Sequence, residues 1–185
     1  FILLSRTLNI IPTIKSRTIK FHLSGMNNEE LGVSKEIYYF FDGNENDILE
    51  FKRQNLSLDD IKFQINTVED ILQIVTEMKN YVSGEFAVKN SLDLTIKYNK
   101  SIELIARRIR FWELENVYFF INEIENKLKK EREFLIGFLS KIIINAKNSV
   151  ETEDLKNLIN LKNSIRNNVN IKSVLFNFFD ILQNS

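Results

Sequence analysis

Several residue types that carry chemistry or shape β-structure are scarce in this chain. It has no cysteine, one proline, one histidine and five glycines among its 185 residues. Without cysteine there can be no disulfide scaffold, no thiolate zinc site and no thiol catalysis within this sequence. So few glycines and prolines leave few turn-forming positions, which argues against a β-sandwich or a β-barrel.

Sequence motifs of common catalytic sites are also missing. The chain contains no GxGxxG, no P-loop, no HExxH, no GxSxG and no EF-hand loop. A lone histidine, His22, is a poor basis for a transition-metal site. The carboxylate pair Glu113 and Glu115 is explained better by acids in the first turn of a helix than by acid–base chemistry. We therefore predict no catalytic residue, no metal, no cofactor and no enzymatic activity.

Long apolar runs are absent too. A membrane-spanning helix needs roughly 20 apolar residues in succession. The longest candidate, residues 134–146, is shorter and is interrupted by Lys141. The sequence therefore predicts no transmembrane segment.

Acidic residues are missing from the first 28 positions. This segment holds four basic residues, and all 25 acidic residues of the chain follow it. The segment is therefore about +4 and the remainder about −4, a division hidden by the net charge of zero. A basic, acid-free segment with serine and threonine is typical of an organellar presequence or of an arm that binds a polyanion. We divide the chain into a basic extension, 1–28, and a helical domain, 29–185.

Apolar residues recur at helical spacing in the domain. The clearest helix start is Asn66 or Thr67 followed by Glu69 and Asp70, because a capping side chain and first-turn acids both favour a helix N-terminus. We predict helices that begin near residues 67, 85, 101, 114, 132, 152 and 171. The nearly all-apolar segment 134–146 is expected to be central. A further helix is predicted over 45–64, and the aromatic cluster 37–41 forms either a turn-rich helix or a short strand.

The predicted fold class is all-α. Paired helix starts recur at roughly 30–40 residues, a period typical of α-solenoids. Sequence similarity between the pairs is low, so an irregular helical bundle is the alternative. In both cases the helical domain carries the basic N-terminal extension.

One part of the helical pattern resembles a known family. Residues 66–75 (NTVEDILQIV) and 86–100 (FAVKNSLDLTIKYNK) resemble the first repeat of FAST-kinase-like and RAP-domain organellar proteins, and residues 102–128 resemble a second repeat. No C-terminal α/β RAP domain is evident in the sequence. The resemblance implies RNA handling in mitochondria or plastids, including roles as ribosome-associated subunits.

The densest basic and aromatic run lies between residues 97 and 112. Guanidinium groups bind phosphates in a bidentate manner, and aromatic rings stack on bases. The alternative is a helix with a solvated charged face and a buried Trp112. The predicted RNA-binding residues are Arg6, Lys15, Arg17, Lys20, Lys97, Lys100, Arg107, Arg108, Arg110 and Trp112. A second basic run, 127–132, is flanked by glutamates, so we expect pairs four residues apart to neutralise much of it.

These features predict a non-catalytic, RNA-associated structural subunit of a large organellar assembly, in first place the ribosome of the mitochondrial matrix. Its partners would be ribosomal RNA and neighbouring protein subunits, with no small-molecule substrate. One alternative is an accessory subunit of a respiratory-chain or ATP-synthase complex with no RNA role, whose exposed aromatic clusters 38–41 and 176–179 would contact protein or lipid. Another is a cytosolic helical adaptor in which the basic N-terminus is incidental.

Overall fold

The computed structural model describes residues 25–58, 65, 67–84, 91–167 and 169–185. Within these ranges the chain is all-helical and has no strand, which confirms the predicted fold class. The helices are α1 (Lys35–Phe40), α2 (Glu45–Arg53), α3 (Val68–Val82), α4 (Ser91–Arg108), a 3₁₀ turn (Ile109–Phe111), α5 (Leu114–Leu128), α6 (Arg132–Ala146), α7 (Thr152–Ser164) and α8 (Ile171–Asn184).

The predicted start of α3 is confirmed in detail. Thr67 accepts a hydrogen bond from the backbone N–H of Asp70 at 3.2 Å, and the Asp70 carboxylate accepts one from the N–H of Thr67 at 3.0 Å. This reciprocal pair is a capping box, which satisfies two backbone donors that the helix itself leaves without partners. Of the two candidate caps, Thr67 is the one in use.

Two predicted helix boundaries are wrong. We expected a helix to begin at Ser101, but α4 runs without a break from Ser91 to Arg108. Ser101 is fully buried, and its hydroxyl donates to the carbonyl of Lys97 at 2.8 Å, a bond that a serine makes inside a helix. The helix predicted over 45–64 ends at Arg53. Just beyond it Asn55 has a φ of 50°, a left-handed conformation that does not continue a helix.

The helices pack as two four-helix groups that share α5 and α6. In the first group α3 packs on α4 and α5, and α6 packs on α4 and α5. In the second group α6 packs on α7, α7 on α8, and α8 returns to α5. Each helix pair thus contacts the next pair, as in a repeat array, while the return of α8 closes a ring, as in a bundle. Both predicted forms of the all-α fold are consistent with this arrangement.

The main core follows α6, as the apolar segment predicted. Leu135, Phe138, Leu139 and Ile142 have no exposed surface, because α6 is covered by α4, α5 and α7. A second, smaller core joins α1 and α2 to the first half of α4. Its buried members are Leu31, Phe40, Phe41, Ile48, Phe51, Leu92 and Ile96.

The aromatic clusters that the respiratory-chain alternative placed on the surface are largely buried. Phe178 and Phe179 have no exposed surface, and Phe41 is 2% exposed. Phe178 and Phe179 lie on α8 and belong to the main core, whereas Phe41 directly follows α1 and belongs to the smaller core. Tyr39 is the exception, at 70% exposed. The expectation that both clusters form exposed surfaces is therefore wrong. None of the helices in the described ranges is long and apolar enough to cross a membrane.

Candidate nucleic-acid interface

The short 3₁₀ turn between α4 and α5 is held firmly at both ends. Ile109, its first residue, is 1% exposed and belongs to the main core. Trp112 follows the turn in an extended conformation, and its carbonyl accepts a hydrogen bond from the side chain of Gln183 at 3.1 Å. The half-buried Trp112 ring meets Phe120 edge to face, with centroids 5.5 Å apart. These contacts fix the position of the residues in between.

Phe111 projects from this fixed turn. Its side chain is 76% exposed, the largest value among the exposed apolar residues of the described chain. The guanidinium of Arg110 lies 5.2 Å from the centroid of the ring, within the distance of a cation–π contact. The turn therefore presents an aromatic ring beside a positive charge.

Three arginines precede this ring in sequence. Arg107, Arg108 and Arg110 are exposed, and no carboxylate of the described residues forms an ion pair with any of them. Arg107 and Arg108 lie in the last turn of α4, where positive charge is favourable because the helix C-terminus is partly negative. That contribution stabilises α4 but uses none of the guanidinium N–H groups, which stay available for an external anion.

A cleft of about 360 Å³ opens beside the turn. It lies among α3, α4 and α5, and Arg108, Trp112 and Asn116 are among the residues that line it. Glu69, at the start of α3, also lines it and lowers the positive potential there. Sequence reasoning missed Asn116 and Glu69 as neighbours of the arginines, because they come from other helices. We name Arg107, Arg108, Arg110, Phe111 and Trp112 the turn surface.

The structure separates the two predicted lysines from the turn surface. Lys97 pairs with Asp93 at 2.8 Å, and Lys100 pairs with Glu103 at 3.3 Å. Lys100 also lies 5.3 Å from the centroid of the Phe40 ring, toward the smaller core. Arg107 lies seven positions after Lys100 along the helix, a rise of about 10 Å. Both lysines thus have acidic partners of their own, and only the arginines and Trp112 come together. The other four predicted residues, Arg6, Lys15, Arg17 and Lys20, lie outside the described ranges.

The second basic run is neutralised largely as predicted. Lys127 pairs with Glu123 at 3.5 Å, and Lys129 pairs with Glu125 at 3.8 Å, both four residues apart on α5. Arg132 has a different role, because it donates to the carbonyls at positions 165 and 167, at 3.1 and 2.7 Å, and so connects α6 to the end of α7. This run is part of the fold rather than a second site.

A second polar cluster lies on the opposite half of α4. Lys141 of α6 forms an ion pair with Asp42 and donates a hydrogen bond to the amide oxygen of Asn99 at 2.8 Å. Nearby, burial raises the pKa of Tyr98 far above its ordinary value, and the negative charge of Asp42 adds to the shift. A cleft of about 210 Å³ adjoins the cluster. Every one of these charges has a partner, so the cluster serves to join helices.

No group of three or more histidine, cysteine or acidic side chains that could hold a metal ion occurs among the described residues. Comparison with known proteins gives no match: no family model, no curated protein and no solved structure matches this chain significantly. The resemblance to FAST-kinase-like and RAP-domain proteins therefore stays a prediction.

Proposed function

We propose that this protein is a non-catalytic structural subunit that contacts RNA within a large organellar assembly, in first place the ribosome of the mitochondrial matrix. The observation that carries the proposal is the turn surface, where three arginines with no carboxylate partner among the described residues precede an exposed phenylalanine on a fixed turn. Guanidinium groups and aromatic rings are the two side-chain types that bind phosphates and bases. The basic, acid-free first 28 residues support both the organelle and a second contact with phosphates.

The charge of the helical domain favours a peripheral subunit. Residues after position 28 are about −4 overall, so the net charge of this domain repels RNA at long range. Glu113 and Glu115, at the start of α5, lie next to the turn surface in sequence and reduce its potential further. Leu114 and Tyr118 of the same helix are 64% and 51% exposed, and they offer apolar surface to a neighbouring protein. Protein contacts would therefore hold the subunit in place, with RNA contact as an addition.

Cosedimentation tests whether the protein belongs to an organellar ribosome. Organellar lysate is fractionated on a sucrose gradient with and without ribonuclease, and this chain is followed by mass spectrometry. We expect it to migrate with a ribosomal subunit and to leave that fraction after ribonuclease treatment. Migration with a membrane complex, indifferent to ribonuclease, would refute the proposal and favour the respiratory-chain alternative.

A charge variant tests the turn surface. The triple change Arg107→Gln, Arg108→Gln and Arg110→Gln removes three charges that have no acidic partner among the described residues. If each arginine neutralises one phosphate of a single strand, the slope of log affinity against log salt falls in magnitude by about 2. The matched control replaces Lys130, Lys147 and Lys156, three exposed lysines elsewhere, by glutamine. Equal losses in both triple variants would mean that only net charge matters and that the turn surface is not the contact.

A further inference from the structure

If the turn surface contacts RNA as proposed above, the exposed ring of Phe111 should favour one kind of RNA over another. Inside a duplex every base face is covered by its neighbours, so proteins recognise double-stranded RNA through phosphates, 2′-hydroxyls and shape. A phenyl face adds binding energy only when a base is free to lie on it. An exposed aromatic ring next to arginines that can bind phosphates is therefore suited to unpaired nucleotides.

The position of the ring suits it to stack on a base. Phe111 is 76% exposed, although the residues around it are anchored by buried Ile109 and by the hydrogen bond from Gln183 to Trp112. A ring on a fixed turn loses little conformational freedom when a base covers it, because its backbone is already ordered. Arg110 lies 5.2 Å from the ring centroid, so a phosphate next to the stacked base has a guanidinium within reach.

The local charge balance also favours a single strand over a duplex. The three arginines of the turn surface are followed at once by Glu113 and Glu115, so the attraction for a rigid array of duplex phosphates is small. A flexible single strand can place its phosphates beside the arginines and avoid the glutamates. We infer that the turn surface binds an unpaired, single-stranded segment of RNA, with Phe111 stacking on one base and Arg107, Arg108 and Arg110 binding the adjacent phosphates.

The test compares two RNA probes on the full chain. Fluorescently labelled oligouridine and a short RNA duplex are titrated with the wild type and with Phe111→Leu, which keeps an apolar side chain and removes the π face. We expect the wild type to bind oligouridine more tightly than the duplex. We expect Phe111→Leu to weaken the binding of oligouridine at least about fivefold and to leave the binding of the duplex unchanged. Phe111→Tyr retains a ring and should bind both probes as the wild type does.

A second exposed aromatic residue provides the matched control. Tyr39 on α1 is 70% exposed and lines the cleft beside Asn99 and Lys141 instead of belonging to the turn surface, so Tyr39→Leu should leave both affinities unchanged. If the wild type binds the duplex as tightly as oligouridine, or if Phe111→Leu changes neither affinity, the stacking inference is wrong while RNA contact stands. If the wild type binds neither probe, the proposed RNA contact fails, and the inference fails with it.

Discussion

The ammonium of Lys141 donates a hydrogen bond to the amide oxygen of Asn99 at 2.8 Å. The amide nitrogen of Asn99 donates in turn to the carbonyl of Phe40 at 2.7 Å. These residues belong to α6, α4 and α1, so one asparagine connects three helices and joins the smaller core to the main one. Asn99 is only 6% exposed, which makes its two hydrogen bonds costly to lose because water cannot easily replace them.

Replacing Asn99 by alanine should destabilise the protein by about 2 kcal/mol. The change leaves the carbonyl of Phe40 without its side-chain donor and removes one acceptor of Lys141. Lys141 retains Asp42, so the loss should be smaller than for a buried charge without a partner. The free energy of unfolding is measured by urea denaturation.

The control for this prediction is Asn145→Ala. Asn145 is also on α6 and also forms a hydrogen bond, from its amide to the carbonyl of Lys141 at 2.9 Å, but it is exposed. Water can replace this bond, so we expect a change within about 0.5 kcal/mol. Equal stability of the Asn99→Ala and Asn145→Ala variants would show that the connection between the cores contributes nothing measurable.

Replacing Thr67 by alanine should lower the free energy of unfolding by about 1 kcal/mol, because the change removes the capping side chain of α3. The comparison is Thr152→Ala, at the first residue of α7, where no side-chain cap bond forms. Thermal denaturation of both variants under identical conditions gives the difference. A Thr67→Ala variant as stable as Thr152→Ala would contradict a role for the capping box in stability.

Replacing Phe179 by alanine should destabilise the protein by about 3–5 kcal/mol, because it leaves a cavity where α5 and α8 meet. The ring has no exposed surface and lies with its centroid 5.5 Å from that of Phe120 and 5.3 Å from that of Phe178. The same change at exposed Phe111 should alter stability by about 0.5 kcal/mol or less. Urea denaturation distinguishes the two, and similar losses at both positions would mean that the packing described for α8 is wrong.

Local signals in the sequence predicted where helices exist better than where they end. Thr67 was identifiable as a cap because acids follow it at the spacing of a capping box. Ser101 carries the same capping potential, yet it lies inside α4, because buried neighbours on both sides favour continuing the helix. Tertiary packing therefore decided between two equally plausible boundaries, and a local pattern holds no information about that packing.

The candidate site, too, could be predicted from the sequence only in part. The run from Arg107 to Trp112 is contiguous, so the sequence alone placed its charges beside its aromatic rings. Lys97 and Lys100 belong to the same run, but their partners Asp93 and Glu103 could be identified only once α4 was known to be one continuous helix. Asn116, in the cleft wall, is brought to Arg108 by the packing of α5, which no sequence spacing reports.

Asp47 on α2 should make stability depend on pH. Partial burial raises the pKa of its carboxyl, while a hydrogen bond with Thr95 and the charge of Lys141 oppose that rise. The folded protein therefore holds this proton more tightly than the unfolded chain does. The resulting stabilisation is complete below the ordinary aspartate pKa of about 3.9 and is lost as the pH rises through the higher value of the folded state.

Asp47→Asn removes this titration with little change in shape. We expect the variant to be more stable than the wild type at neutral pH, with the difference decreasing as the pH is lowered toward about 4. The gain should be modest, because Asp47 also lies in the first turn of α2, where a negative charge is favourable. Urea denaturation across this pH range measures it, with Glu115→Gln as the control for removing one exposed negative charge. A difference between wild type and Asp47→Asn that does not vary with pH would contradict the raised pKa, since only a shifted titration makes the effect of this one carboxyl depend on pH.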